Sequence, residues 1–67
     1  MGRRVLVVGG GGREHALCRA LSASSSIDEI HIAPGNAGTL HYGTNHEVEA
    51  SNIEGLLAFA DHHDIDL

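Results

Sequence analysis

The strongest constraint in this sequence is a junction: an apolar run, Val5-Leu6-Val7-Val8, meets four consecutive glycines, Gly9 to Gly12, and then a helix-forming segment, Arg13 to Leu21. A β-branched run without polar alternation reads as a strand buried on both faces, as in a parallel sheet. The glycines end it. In the segment that follows, Ala16, Leu17, Ala20 and Leu21 fall on one side of a helix that stops at Ser22-Ala23-Ser24-Ser25-Ser26. Glu29-Ile30-His31-Ile32-Ala33 then gives a short strand halted by Pro34-Gly35-Asn36. Strand, helix and strand in so short a span make one right-handed βαβ unit.

The stretch from Gly38 to Ala50 is weakly patterned, with His46-Glu47-Val48-Glu49 as a candidate extended piece. Order returns at Ser51-Asn52-Ile53-Glu54, which fits a capping box with Ser51 as the cap. The helix it opens carries Ile53, Leu56, Leu57 and Ala60 on one face with Phe59 beside them, and His62-His63 close its last turn, where the dipole favours positive charge. Asp64-Ile65-Asp66-Leu67 then starts a further strand. Parallel strands need both faces covered, and two helices with two or three strands do not achieve that. The expectation is an incomplete α/β sheet of β-α-β-α-β order, residues 1–67 being the amino-terminal part of a longer doubly wound domain.

Charge is distributed unevenly. Residues 1–19 hold all four arginines and one acid, Glu14, whereas residues 20–67 hold eight acids and no base, so +3 and -8 sum to the net -5. An acidic balance of this kind argues against a nucleic-acid or anionic-membrane surface, and points instead to a small anion at the cationic end. The apolar run after Arg3-Arg4 is too short for a signal peptide, and no stretch approaches the roughly 20 apolar residues that span a bilayer. A cytoplasmic location is expected. The single cysteine, Cys18, has no flanking pattern of a nucleophile and reads as a core thiol.

A glycine loop at a helix amino terminus leaves main-chain amides directed outward at the positive end of the dipole, a ready anion site, and Arg13 adds a formal charge. The competing reading is a close strand-to-helix turn with Arg13 solvated. The dinucleotide fingerprint fails in both registers, because Glu14 or His15 stands where Gly or Ala is required and Ala33-Pro34-Gly35 replaces the acid that would hold a ribose diol. A Walker A loop requires lysine, and all four basic residues here are arginine. Loops at the carboxyl ends of neighbouring parallel strands face one crevice, so Pro34-Gly35-Asn36-Ala37-Gly38-Thr39 should lie beside the first glycine loop. Asn36 and Thr39 then offer neutral hydrogen bonds to a sugar or phosphate, unless the segment is an ordinary turn.

Glu14 and His15 open the first helix, where capping or loop bracing is a better reading than acid-base catalysis. His15, His41, His46 and the His62-His63 pair show no metal-ligand spacing, so no metal site is assigned.

Two blocks, Gly11-Gly12-Arg13-Glu14-His15-Ala16-Leu17 and Ala33-Pro34-Gly35-Asn36-Ala37-Gly38-Thr39, together resemble the start of the phosphoribosylamine-glycine ligases, the glycinamide ribonucleotide synthetases. The resemblance runs from about Arg4 to the end and weakens at Leu40-His41-Tyr42-Gly43. It implies a Rossmann-like, pre-ATP-grasp domain without a dinucleotide. It further implies a parent enzyme of purine biosynthesis that joins glycine to 5-phosphoribosylamine with ATP through a glycyl phosphate. ATP and Mg2+ or Mn2+ would be bound outside this segment, on ATP-grasp and later domains that it lacks. The segment would bind the phosphoribosyl substrate through Gly10, Gly11, Gly12, Arg13, Glu14, Gly35, Asn36, Ala37, Gly38 and Thr39. It carries no catalytic residue, would be inactive alone, and has the rest of the parent polypeptide as its partner. The alternatives are an NAD(P)- or FAD-binding domain of an oxidoreductase and a non-catalytic α/β ligand-binding module.

Overall fold

The computed structural model describes residues 3–66. Three strands and two helices appear in the order β1 (Arg3–Gly9), α1 (Gly12–Ser22), β2 (Ile27–Pro34), β3 (Thr44–Asn45) and α2 (Ile53–His62), with a single 3-10 turn at Thr39–His41 before β3. The sheet runs β1-β2-β3 and all pairing is parallel. This is the open Rossmann-like start that the alternation of apolar run, glycines and helix anticipates.

Register decides which side chains meet. Val5 pairs with Ile30 and Val7 with Ile32, and these four join Cys18 of α1 in the core, with Leu21, Ile27 and Tyr42 packed against them. Leu6 pairs with His31 and so lies on the opposite face, where His31 meets Phe59 of α2 at 5.6 Å between ring centroids. Ile32 and Cys18 are fully enclosed. Burying one aliphatic side chain of that size contributes roughly 1.5–3 kcal/mol, so a few residues per face hold the layers together.

The helices turn differently from the expectation. On α1 the buried residue is Cys18, while Ala16, Leu17 and Ala20 are exposed and only Leu21 is partly covered. On α2 the buried residue is Phe59, and Ile53 and Leu57 are 69% and 67% exposed. In each helix one residue is buried, with Leu21 on α1 and Leu56 and Ala60 on α2 half-buried beside it, whereas Leu17, Ile53 and Leu57 of the expected apolar stripes are exposed. The cap of α2 is Asn52 rather than Ser51: its side-chain oxygen accepts from the Gly55 amide at 3.0 Å. Asn52 stands one residue nearer the helix and provides the acceptor oxygen that the Ser51 box would have supplied.

The third strand also moves. Extended pairing falls at Thr44–Asn45, before the 46–49 segment, because the His46 amide donates to the Ile32 carbonyl at 2.7 Å and the chain then leaves the sheet. Residues 64–66 form no strand, but the Asp66 amide donates to the Arg4 carbonyl at 2.8 Å, and the Arg4 amide donates to the Asp66 carboxylate at 2.9 Å. The chain thus returns to the free edge of β1, opposite β2. Leu67 lies outside the described residues.

Candidate functional site

The carboxyl ends of β1 and β2 lead into two loops that touch. Gly9, at φ 131°, turns the chain out of β1. A side chain there would run into Glu14, whose carboxylate folds back over the loop and accepts the Gly11 amide at 3.1 Å. Across the gap, the Gly35 amide donates to the Gly9 carbonyl at 2.9 Å, continuing the β1–β2 pairing beyond the strands. A Cβ on Gly10 would lie 2.6 Å from the Gly35 carbonyl oxygen, so the backbones approach as closely as glycine allows. The Asn36 amide nitrogen completes the join, donating to the carbonyls of Gly10 at 2.7 Å and Gly11 at 3.3 Å.

The second loop is braced from within. The Asn36 backbone amide donates to the Thr39 hydroxyl at 2.8 Å, and the Thr39 amide donates to the Asn36 side-chain oxygen at 3.0 Å. Thr39 is fully buried. Its hydroxyl oxygen lies 2.7 Å from the Asn45 side-chain oxygen, and the Asn45 amide nitrogen donates to the Asn36 carbonyl at 2.8 Å. The Thr39 hydroxyl also lies 2.8 Å from the Asn36 carbonyl oxygen, so its one proton has two acceptors in reach, that carbonyl and the Asn45 oxygen, and the three residues form a closed ring of polar contacts. Buried polar groups satisfied in this way fix one loop conformation.

The sequence-predicted residues thus divide. Gly10, Gly11, Gly35, Asn36 and Thr39 are brought together directly, and Glu14 secures the loop by capping it. Gly38 lies against His15: a Cβ on it would be 2.9 Å from the His15 ring, which also meets Tyr42 at 5.6 Å. Ala37 is exposed at the loop tip. Gly12 opens α1 where a Cβ would meet nothing within 4 Å, and its amide and that of Arg13 stand in the first turn, where no intrahelical acceptor exists. The Gly11 amide is not bare, because Glu14 holds it. Arg13 borders a groove along the open edge of β1 with Leu6, Val8, Leu17 and Leu21, and among the described residues it enters no ion pair.

Two features escape sequence reasoning. Asn45 belongs to the bracing ring, and the only hint is Gly43 two residues before it, where a side chain would collide with the Ile30 carbonyl and so marks a close strand approach. The other is a histidine cluster on the α2 face. His31 Nδ1 lies 2.9 Å from His46 Nε2, His31 Nε2 lies 2.9 Å from Glu29, and the His63 ring stacks on Phe59 at 4.1 Å. Burial, then the neighbouring His31 and His63, hold the His46 imidazole below its ordinary pKa. The hydrogen bond from His31, aided by Arg4, outweighs desolvation and lowers the Glu29 carboxyl. Residues fifteen apart leave no pattern in sequence. Among the described residues no group of three or more His, Cys, Asp or Glu converges as metal ligands. Burial and then the Glu14 charge push the Cys18 thiol up, which fits an inert core residue. No helix among the described residues is long and apolar enough to cross a membrane.

Phosphoribosylamine-glycine ligase from Yersinia pestis is 51% identical over 65 residues, covering 94% of this chain. Its counterpart from Salmonella typhimurium is 46% identical over 66 residues, covering 96% of this chain. The chain spans 15% of the length of each of these relatives. The trifunctional purine biosynthetic protein adenosine-3 of Gallus gallus is 48% identical over 61 residues, covering 88% of this chain and 6% of that protein. Residues 3–67 match the family described as phosphoribosylglycinamide synthetase, N domain. The chain belongs to that family.

Proposed function

We propose that this chain is the amino-terminal part of an ATP-dependent ligase that joins glycine to 5-phosphoribosylamine in purine biosynthesis, and that it holds the phosphoribosyl substrate. The observation that carries the reading is the lock between the two glycine loops, in a chain of this family, beside the open first turn of α1. A dianionic phosphate suits the amides of Gly12 and Arg13, where the helix dipole favours negative charge. The Arg13 side chain is long enough to add its charge from the rim. The Ala37 and Gly38 backbone lines the ribose side of the crevice. Gly10, Gly11, Glu14, Gly35, Asn36 and Thr39 set the shape of the site, Asn36 and Thr39 through bonds they make with each other and, for Asn36, with Gly10.

Binding of this kind contributes by orientation. Fixing the phosphate and ribose aims the substrate amine at the activated glycine, and positioning alone is worth several kcal/mol of barrier. ATP and a divalent metal would supply the activation on other parts of the parent polypeptide. The residues here do not fit those groups, since the chain has no lysine and the described residues offer no convergent metal ligands. No step is therefore assigned to them in this segment. The reading also places the enzyme in the cytoplasm, with no membrane or nucleic-acid partner.

The test is Arg13→Ala in the full-length enzyme. The apparent KM for phosphoribosylamine should rise about tenfold, the worth of one charge-assisted contact, while the KM for ATP stays within about twofold. Equal rises for both substrates, or none, would contradict a phosphate role for this end of α1.

A further inference from the structure

We infer that Asn45 is a positioning residue for the phosphoribosyl site, acting through Thr39 and Asn36 and touching no substrate atom; this rests on the function proposed above. Three observations place it there. Its side-chain oxygen accepts the Thr39 hydroxyl at 2.7 Å, and its amide nitrogen donates to the Asn36 carbonyl at 2.8 Å. Its side chain also lies directly under Gly35, so that a Cβ on Gly35 would run into it. Gly35 and Asn36 are the residues that bind the first loop, through the Gly9 carbonyl at 2.9 Å and the Gly10 carbonyl at 2.7 Å. Asn45 is thus one bond removed from the seam between the loops.

The anchor of Asn45 is the sheet itself. It pairs with Ile32 in β3, and the His46 amide beside it donates to the Ile32 carbonyl at 2.7 Å. Ile32 is fully enclosed in the core. Pairing with the buried β2 therefore holds Asn45, Asn45 holds the second loop, and the second loop holds the first. The role needs a donor and an acceptor on two separate atoms of one short head group, which the carboxamide of asparagine supplies without a change of protonation. Aspartate keeps the acceptor for Thr39 and puts a second acceptor oxygen against the Asn36 carbonyl, where nothing donates.

The experiment uses the full-length enzyme with four variants, Asn45→Asp, Thr39→Val, Thr39→Ser and the double Asn45→Asp/Thr39→Val, with Arg13→Ala as the control for the binding reading itself. Steady-state kinetics give the KM for phosphoribosylamine and for ATP, and thermal melting checks folding. Asn45→Asp and Thr39→Val should each raise the KM for phosphoribosylamine about tenfold with the KM for ATP unchanged. Thr39→Ser keeps the hydroxyl and should stay within about twofold of the parent. The double variant should be no worse than the poorer single one, because both break the same relay. If Asn45→Asp fails to fold, the contrast between Thr39→Ser and Thr39→Val carries the same test. An unchanged KM in both Asn45→Asp and Thr39→Val, a parallel rise in both substrates' KM, or strict additivity would overturn the inference. A selective effect of Arg13→Ala alongside silent Asn45 and Thr39 variants would overturn it while leaving the phosphate site standing. Silence from all of them would remove the phosphate site as well.

Discussion

Replacing Gly10 by alanine asks how tightly the two loops are locked. The added methyl would sit 2.6 Å from the Gly35 carbonyl oxygen and 3.3 Å from its carbon, and both atoms are backbone. No side-chain rotation relieves such a contact. Reaching even 3.0 Å, the shortest separation that real Cβ atoms show, requires the loops to part by 3.0 minus 2.6, or 0.4 Å. That displacement stretches the Gly35 to Gly9 bond at 2.9 Å and the Asn36 to Gly10 bond at 2.7 Å, the two shorter of the three bonds across the seam. Overpacking of this kind costs about 1–3 kcal/mol. The proposed site should lose affinity in step, with the KM for phosphoribosylamine rising roughly tenfold or more, since misplacement of about 1 Å is worth up to a hundredfold. Gly12→Ala makes the same chemical change two residues away, where nothing lies within 4 Å. In the first turn of α1 that alanine should be neutral or stabilise by about 0.4–1 kcal/mol. Thermal melting and steady-state kinetics of the two variants in the full-length enzyme provide the assay. Equal changes in melting temperature, or a silent Gly10→Ala, would refute the claim that backbone contact sets the spacing of the loops.

Other consequences follow from the α2 face. Phe59 is the one buried residue of α2 and contacts His31, His46 and His63, so Phe59→Ala should cost roughly 3–5 kcal/mol in a denaturant titration. A loss below about 1 kcal/mol would mean that α2 is held from elsewhere. The pH dependence has a definite sign. His46 resists protonation when folded, so its contribution to stability is complete above its ordinary pKa of 6.5 and declines as pH falls through that value. Glu29, with a lowered carboxyl pKa, adds a further loss as pH falls below its ordinary 4.5. Melting temperatures across pH 6.5 should therefore drop more steeply for the parent than for His46→Gln; identical slopes would remove His46 from the account.

Much of the fold is legible in local sequence. The run Val5 to Val8, the glycines and the polar stop after Leu21 each act within a few residues, and β1, α1 and β2 form where those signals put them. The convergence of two loops also follows, because parallel strands point their carboxyl ends the same way. What is not legible depends on distance. Helical periodicity marks Leu17, Ile53 and Leu57 as apolar but does not tell which of a helix's apolar residues the sheet will cover, and the sheet takes Cys18 and Phe59 instead. Asn36 and Thr39 are polar groups in a loop, and sequence alone reads them as free for a ligand; the folded loop instead turns them on each other, with Asn45 completing the ring from β3. The β3 strand is two residues long and depends on Ile32 for its pairing, so no local run announces it.

The central claim is that the first turn of α1, set by the loop lock, receives the substrate phosphate. A crystal structure of the full-length enzyme with a phosphoribosyl ligand bound tests it most directly. A phosphate oxygen within about 3.2 Å of the Gly12 or Arg13 amide nitrogen, with the bonds among Asn36, Thr39 and Asn45 unbroken, is the predicted result. A phosphate seated away from α1, or Asn36 and Thr39 released from each other to grasp it, would contradict the account.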